Sequence, residues 1–311
     1  MRYAAKDDSF EAVLARANSA LYEEFKDDPA PATQYPIGNI VGLPRSGTTV
    51  LFQLLAATGQ VGYPSNLAAF FWRSPALGAH LQRQLGSTVS SLDLTSLAGR
   101  TPGPMGPHEF GYFWRAALGH TRNHEERDAE PWPADELNRQ LQSMANAFGA
   151  PVVHKNFLAM LHLDEMAAGS PDLRFIALRR PLTEIASSLL AVRERIGISP
   201  SEDFGLGIDL ESHGCSVPAD DALARVAHQV IHLEEYFEAC AFDQRDDSLL
   251  VDYSALSEDP RGTILNILGL LDIQAHEDAV EHLPDTLATR PPSASDSQVG
   301  HAIESAREQH A

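Results

Sequence analysis

The residues best suited to chemistry cluster in GNIVGLPRSGTTVLFQLLAATG, residues 38–59. Gly42 and Gly47 have the spacing of a nucleotide-binding phosphate loop, and Thr49 stands where such loops place a magnesium-coordinating hydroxyl. The lysine position of that motif holds Thr48, and the only strong cation in the loop is Arg45. A strand–loop–helix unit aims backbone N–H groups and the positive end of a helix at one point, here surrounded by Pro44, Arg45, Ser46, Gly47, Thr48 and Thr49. Without the lysine a triphosphate loses a main source of charge compensation. A single phosphate, or a monoester beside a transferring group, needs less. A second anion site is written into FIALRRPLTEIASSLLAVR, where Arg179 and Arg180 close an apolar run and Pro181 opens a helix. Ser187 lies about two helical turns beyond Arg179 and faces roughly the same way. One guanidinium and one hydroxyl could therefore converge on a second phosphate. Lys155, in PVVHKNF, is isolated: the only other lysines are Lys6 and Lys26.

The elements that must position these residues follow from periodicity. Residues 37–43 are short and apolar and read as a buried strand, with a helix over residues 48–58 stopped by Gly59. PVVHKNF is a second strand and LDEMAAG a short helix. DLRFIALRR is a third strand and TEIASSLLAVRERIG the helix after it. DDALARVAHQVIHLEEYFEACAF reads as a long helix, SLLVDYSAL as a fourth strand, and EDPRGTILNILGLL as a helix. Residues 7–26 carry Phe10, Val13, Leu14, Ala17, Leu21 and Phe25 at helical spacing, so residues 1–30 form an N-terminal helical segment. GPHEFGYFWRAAL is aromatic-dense and DELNRQLQSMANAF reads as a further helix. Residues 197–219 are irregular, and 290–311, from RPPSASDSQVG, have loop or tail character. Strands alternating with helices imply an α/β fold, a phosphate-loop-type, mostly parallel sheet with helices on both faces, in a single domain spanning 1–311. Arg179 and Arg180 then stand at a strand's carboxyl end, the ligand edge of an open sheet.

Composition narrows the function classes. The chain has 311 residues, 43% hydrophobic and 21% charged, enough for a substantial core. A formal net charge of −20 argues against nonspecific binding to nucleic acid or anionic membrane, so an anionic ligand needs a local cationic pocket. No apolar run reaches the roughly 18 residues of a membrane span, and the acidic N-terminus is not a secretory signal. Cys215 and Cys240 have neither metal nor CxxC spacing, which favours a reducing cytoplasm. Few lysines beside many arginines and alanines suggest a GC-rich bacterial genome.

PRSGTT after a strand, FIALRRP with a serine eight residues after its first arginine, and VDYSALSEDPRGTILNILGLL together resemble the sulfotransferase superfamily, whose members use 3′-phosphoadenosine-5′-phosphosulfate (PAPS). Tyr253, Leu256, Pro260 and Leu265 are similar to the family's recurring Y-x-x-L-x-x-x-P…L unit. The matches run in order over about residues 37–270. The resemblance implies that residues 44–49 wrap the phosphosulfate end of the cofactor, with Arg45 in place of the catalytic Lys or Arg. It implies that Arg179 and Ser187 hold the 3′-phosphate, and that Lys155 stabilises charge in sulfuryl transfer. Arg180 departs from the family's frequent Asp. Arg290 lies where the family's C-terminal loop closes over the cofactor.

The general base is left open. The family's catalytic His is replaced by Phe157, and Asn66 stands near the place of the Glu used by other branches. Glu109 and His108, among aromatic residues that could desolvate a carboxylate, are the first candidates, with His154 next. Phe70, Phe71, Trp72, Phe110, Tyr112, Phe113 and Trp114 are core residues, some of which could line an acceptor pocket. His228 and His232 are four residues apart on a helix, but Gln229 breaks any HExxH motif and no third ligand is visible, so no metal is expected. The reading is a cytoplasmic PAPS-dependent sulfotransferase acting on a hydroxyl of a small-molecule or glycan acceptor, with adenosine 3′,5′-bisphosphate as product. The alternatives are an ATP-dependent small-molecule kinase and a non-catalytic sulfotransferase-like binding module.

Overall fold

The computed structural model describes residues 7–29, 31–86, 93–120, 127–202, 204–206, 208, 210–211, 213–289 and 295–310. The chain begins with α1 (Asp8–Phe25), capped by Asp7, whose carboxylate accepts the N–H groups of Ser9 and Phe10. β1 (Ile37–Val41) and α2 (Thr48–Ala57) enclose the glycine-bearing loop. Then come α3 (Pro75–Gln84), α4 (Gly111–Leu118), α5 (Ala134–Phe148), β2 (Val152–Lys155), α6 (Leu163–Gly169), β3 (Leu173–Arg179) and α7 (Leu182–Ile196). The remainder is α8 (Ala222–Ala239), β4 (Ser248–Asp252), α9 (Tyr253–Glu258), α10 (Pro260–Leu270) and α11 (Ser295–His310).

The four strands form one parallel sheet in the order β2-β1-β3-β4. Alternation along the strands divides the core into two layers, as the period of two requires. Ile37, Val41, Val152, Leu173, Phe175 and Ala177 face the layer that also holds Phe113, Leu141, Ile185 and Val230, from α4, α5, α7 and α8. Ile40, Val153, Ile176, Leu178 and Val251 face the other layer, with Leu51 and Leu54 of α2 and Ile264 and Ile267 of α10. Burial on both faces explains why these strands read as continuous apolar runs. The sheet order reverses at β1, so the crevice beyond its carboxyl end is the topological switch point, where open α/β sheets bind ligands. Lys155, Arg179 and Asp252 close the neighbouring strands at that same edge.

Two readings of the sequence need correction. The segment 290–311 is not a loop or tail throughout: α11 occupies Ser295–His310. Val299, Ile303 and Ala306 are buried at helical spacing and seal it onto α7 and α8. Polar residues between them dilute the pattern in the sequence. Arg290 lies outside the described residues. The fourth strand also stops at Asp252, because the chain turns there into α9. Among the described residues no helix is long and apolar enough to cross a membrane.

Candidate active site

The loop between β1 and α2 is shaped by close approach. A Cβ on Gly47 would lie 2.6 Å from the Tyr253 ring, and one on Gly42 would lie 2.7 Å from the Leu178 carbonyl oxygen. Gly47 adopts φ of +106° as the residue preceding α2, and no side chain caps that helix. Its first-turn N–H groups are therefore left for an external acceptor. Ser46 is buried, and its hydroxyl has no hydrogen-bonding partner among the described residues. Arg45 has φ of +72°, a left-handed conformation that costs a non-glycine residue roughly 1–3 kcal/mol. Two contacts hold it there: Arg180 Nη1 donates to the Arg45 carbonyl oxygen at 3.1 Å, and Arg45 Nε donates to Ser188 Oγ at 3.1 Å.

The electrostatics of Arg45 are those of a cation awaiting a counterion. Burial, and then repulsion from Arg180 and Arg195, pushes its guanidinium below the ordinary value, although not far enough to neutralise an arginine. Among the described residues it pairs with no carboxylate, in a chain whose formal net charge is −20. It lines a cavity of about 660 Å³ together with Ser187, Ser188, Arg195 and Val299. Neither Ser188 nor Arg195 stood out in the sequence. Ser188 merely follows Ser187, and Arg195 is one more charge near a helix end. Arg180 is legible in the sequence as a cation at the ligand edge of the sheet, but not as a brace for the loop. It braces the loop, pairs with Glu184 at 2.8 Å and lies 4.1 Å over the Tyr253 ring.

On the other side of the loop, Lys155 is only 2% exposed. Its ammonium donates to Thr49 Oγ1 at 2.9 Å, forms an ion pair with the Glu109 carboxylate and lies 5.0 Å from the Phe157 ring centre. Lysine, loop threonine and glutamate thus form one connected group. Glu109 is not desolvated by its aromatic neighbours as expected. Phe113 and Trp114 of α4 turn into the core, leaving the Glu109 side chain 40% exposed on the ammonium. Phe110, next to it, has φ of +57°, a second strained residue bordering the site. His108 is half-buried, and its Nδ1 accepts the Phe110 N–H at 2.9 Å.

His154 is excluded as a base by its surroundings. It points away from Lys155 into the opposite layer, against Phe110, Phe113 and Trp114. Neither ring nitrogen has a partner among the described residues, and burial pushes its pKa down to about 3. Asn66 is structural: its amide donates to the carbonyl oxygens of Thr101 and Gly103 at 3.0 and 2.6 Å.

Arg179 and Ser187 line different cavities, each with an acidic partner. Arg179 Nε donates to Asp252 Oδ1 at 3.0 Å and lines a separate cavity of about 490 Å³ with Arg180, Leu43, Phe237 and Tyr253. Ser187 Oγ donates to Asp296 Oδ1 at 2.8 Å, a contact delivered by α11. The eight-residue spacing was legible, but the helix placing a carboxylate on Ser187 was not.

The sulfotransferase family is matched over residues 38–278, and the chain belongs to that family. Among solved structures it is similar to the sulfotransferase STF1 from Mycobacterium tuberculosis H37Rv, with a TM-score of 0.59 at 19% identity, covering 96% of this chain and 81% of that one. It is also similar to the sulfotransferase STF9 from Mycobacterium avium, with a TM-score of 0.56 at 15% identity, covering 95% of this chain and 81% of the other. At such identities these likenesses speak for the fold. No sequence among curated proteins matches the chain.

Proposed function

We propose that the chain transfers a sulfuryl group from PAPS to a hydroxyl of a small-molecule or glycan acceptor. The observation that carries the reading is Arg45, a cation with no carboxylate partner among the described residues, beside the uncapped start of α2. Donor chemistry fits this loop. The two glycine positions cannot accept a Cβ, the buried Ser46 hydroxyl has no partner among the described residues, and Thr48 stands where a triphosphate loop has lysine. When bound, PAPS supplies an activated sulfuryl group whose departure leaves adenosine 3′,5′-bisphosphate.

This chain's own groups divide the work. Residues 44–49 and Arg45 hold a phosphate-like anion through backbone N–H groups and a guanidinium fork. Glu109, exposed on one side and paired with Lys155 on the other, accepts the proton of the acceptor hydroxyl at its carboxylate. His108 is the second candidate for that role. Protonation removes the charge that engages Lys155, freeing the ammonium to meet negative charge developing beside Thr49. Arg179 and Ser187 serve a second phosphate only if that anion takes the places of Asp252 and Asp296.

Arg45→Ala and Lys155→Ala should each lower turnover by about 10²–10³-fold, the scale for removing one preorganised transition-state donor. The assay is mass-spectrometric detection of adenosine 3′,5′-bisphosphate and sulfated product, with hydroxyl acceptors offered alongside PAPS. Rates near wild type in both variants would remove these residues from the chemistry.

A further inference from the structure

Away from the loop, sulfur and imidazole groups from three parts of the chain meet. Cys215 Sγ, in the irregular segment before α8, lies 3.5 Å from His232 Nε2 on α8 and 3.5 Å from His310 Nε2 at the end of α11. One ligand atom from each of the three falls within 4.8 Å of the others. His228, one turn before His232, brings Nδ1 to 3.0 Å from His310 Nε2. Behind them stands one carboxylate: Glu235 Oε2 is 3.2 Å from His232 Nδ1, and Glu235 Oε1 is 3.6 Å from His310 Nδ1.

The Glu235 carboxylate favours the tautomers with hydrogen on Nδ1 of His232 and His310, which turns both Nε2 lone pairs toward Cys215. A thiol has one proton, so it serves only one of them, and the His228 Nδ1–H at 3.0 Å can serve the His310 nitrogen in the absence of a metal. Converging lone pairs are what a metal ion requires. Tetrahedral zinc, with Zn–S of about 2.3 Å and Zn–N of about 2.0–2.1 Å, sets S···N separations of about 3.5 Å and N···N separations of about 3.4 Å. The two observed S···N spacings are of that size. A carboxylate behind the distal nitrogens is the usual outer partner of a metal-ligating histidine.

We propose that Cys215, His232 and His310 form a three-ligand site for a zinc-class divalent cation. Thiolate with imidazole selects such ions over magnesium or calcium. Binding releases the Cys215 thiol proton to solvent, while the imidazoles coordinate as neutral ligands. The ion staples α11 and the Cys215 segment to α8. It thereby fixes the helix that carries Asp296 to Ser187 and Val299 to the Arg45 cavity. The His228/His232 spacing shows only His232 of this set, because the remaining ligands come from distant parts of the chain.

The test uses the full chain, free of any histidine tag, stripped with a chelator and titrated with cobalt(II). One equivalent should produce the visible bands of tetrahedral cobalt and a near-ultraviolet thiolate-to-cobalt band. Cys215→Ser should abolish the thiolate band and His232→Ala should weaken uptake at least tenfold. Cys240→Ser should change neither, because the Cys240 sulfur lies apart, against the Met160 and Tyr236 carbonyl oxygens. Zinc should also raise the melting temperature of the unmutated chain, and chelator should reverse the rise, a readout that needs no variant. Absence of tetrahedral cobalt bands in the unmutated chain, a thiolate band surviving Cys215→Ser, or a melting temperature indifferent to zinc would overturn the site.

Discussion

Arg45 and His154 show how differently two buried basic side chains can be used. Arg45 keeps its charge, has no carboxylate partner among the described residues and lines a cavity, so its removal should affect turnover more than folding. His154 is held neutral within an aromatic cage, so it should affect folding alone. Its folded pKa of about 3 lies below the ordinary histidine value of about 6.5. Between those values the unfolded chain carries a proton that the native chain excludes. The His154 contribution is therefore fully present above about pH 6.5 and is lost as the pH falls. The slope approaches about 1.4 kcal/mol per pH unit for one proton. His154→Leu should flatten the fall in stability between pH 6.5 and 5, as read by urea unfolding at the two values. An unchanged slope would mean that the ring is not excluded from protonation. Such a role was not legible in PVVHKNF, where His154 and Lys155 are simply adjacent. Strand alternation sends one into the aromatic layer and the other toward Thr49.

At the scale of elements, the loop and α11 act on the same site from opposite sides. Gly47→Ala forces a Cβ to within 2.6 Å of the Tyr253 ring at a positive φ. It should therefore cost about 1–3 kcal/mol by thermal or urea unfolding, the range for overpacking. A variant as stable as wild type would show that the loop relaxes freely. Asp296 makes the opposite case: its carboxylate occupies the Ser187 hydroxyl and opposes an arriving phosphate. Asp296→Ala should tighten binding of adenosine 3′,5′-bisphosphate about tenfold, a ratio worth about 1.4 kcal/mol. Unchanged affinity in a calorimetric titration would place Ser187 outside the phosphate site. The strands and the helices that follow them were readable because period-two and period-3.6 patterns are strong when one or both faces are buried. α11 was not, since it buries only a narrow stripe of small and medium side chains.

Across the whole molecule, the parallel order β2-β1-β3-β4 carries the argument. It sets the carboxyl ends of β1, β2 and β3 side by side, so that an arginine, a lysine and a second arginine far apart in sequence border one edge. In a chain of net charge −20, that edge is a local concentration of cations. The alternation of strands and helices made this architecture legible, and the three ordered motifs made the family legible. What could not be read was pairing: that Lys155 meets Glu109, Arg179 meets Asp252 and Ser187 meets Asp296. Those contacts depend on loops and on a terminal helix whose docking no local pattern encodes.

The most direct measurement is a calorimetric titration of the unmutated chain and Arg45→Ala with adenosine 3′,5′-bisphosphate and, separately, with ATP and magnesium. A two-phosphate site around Arg45 requires tight binding of the bisphosphate by the unmutated chain, at least tenfold weaker binding by the variant, and little affinity for ATP with magnesium. A preference for ATP with magnesium, or bisphosphate binding indifferent to Arg45, would contradict it.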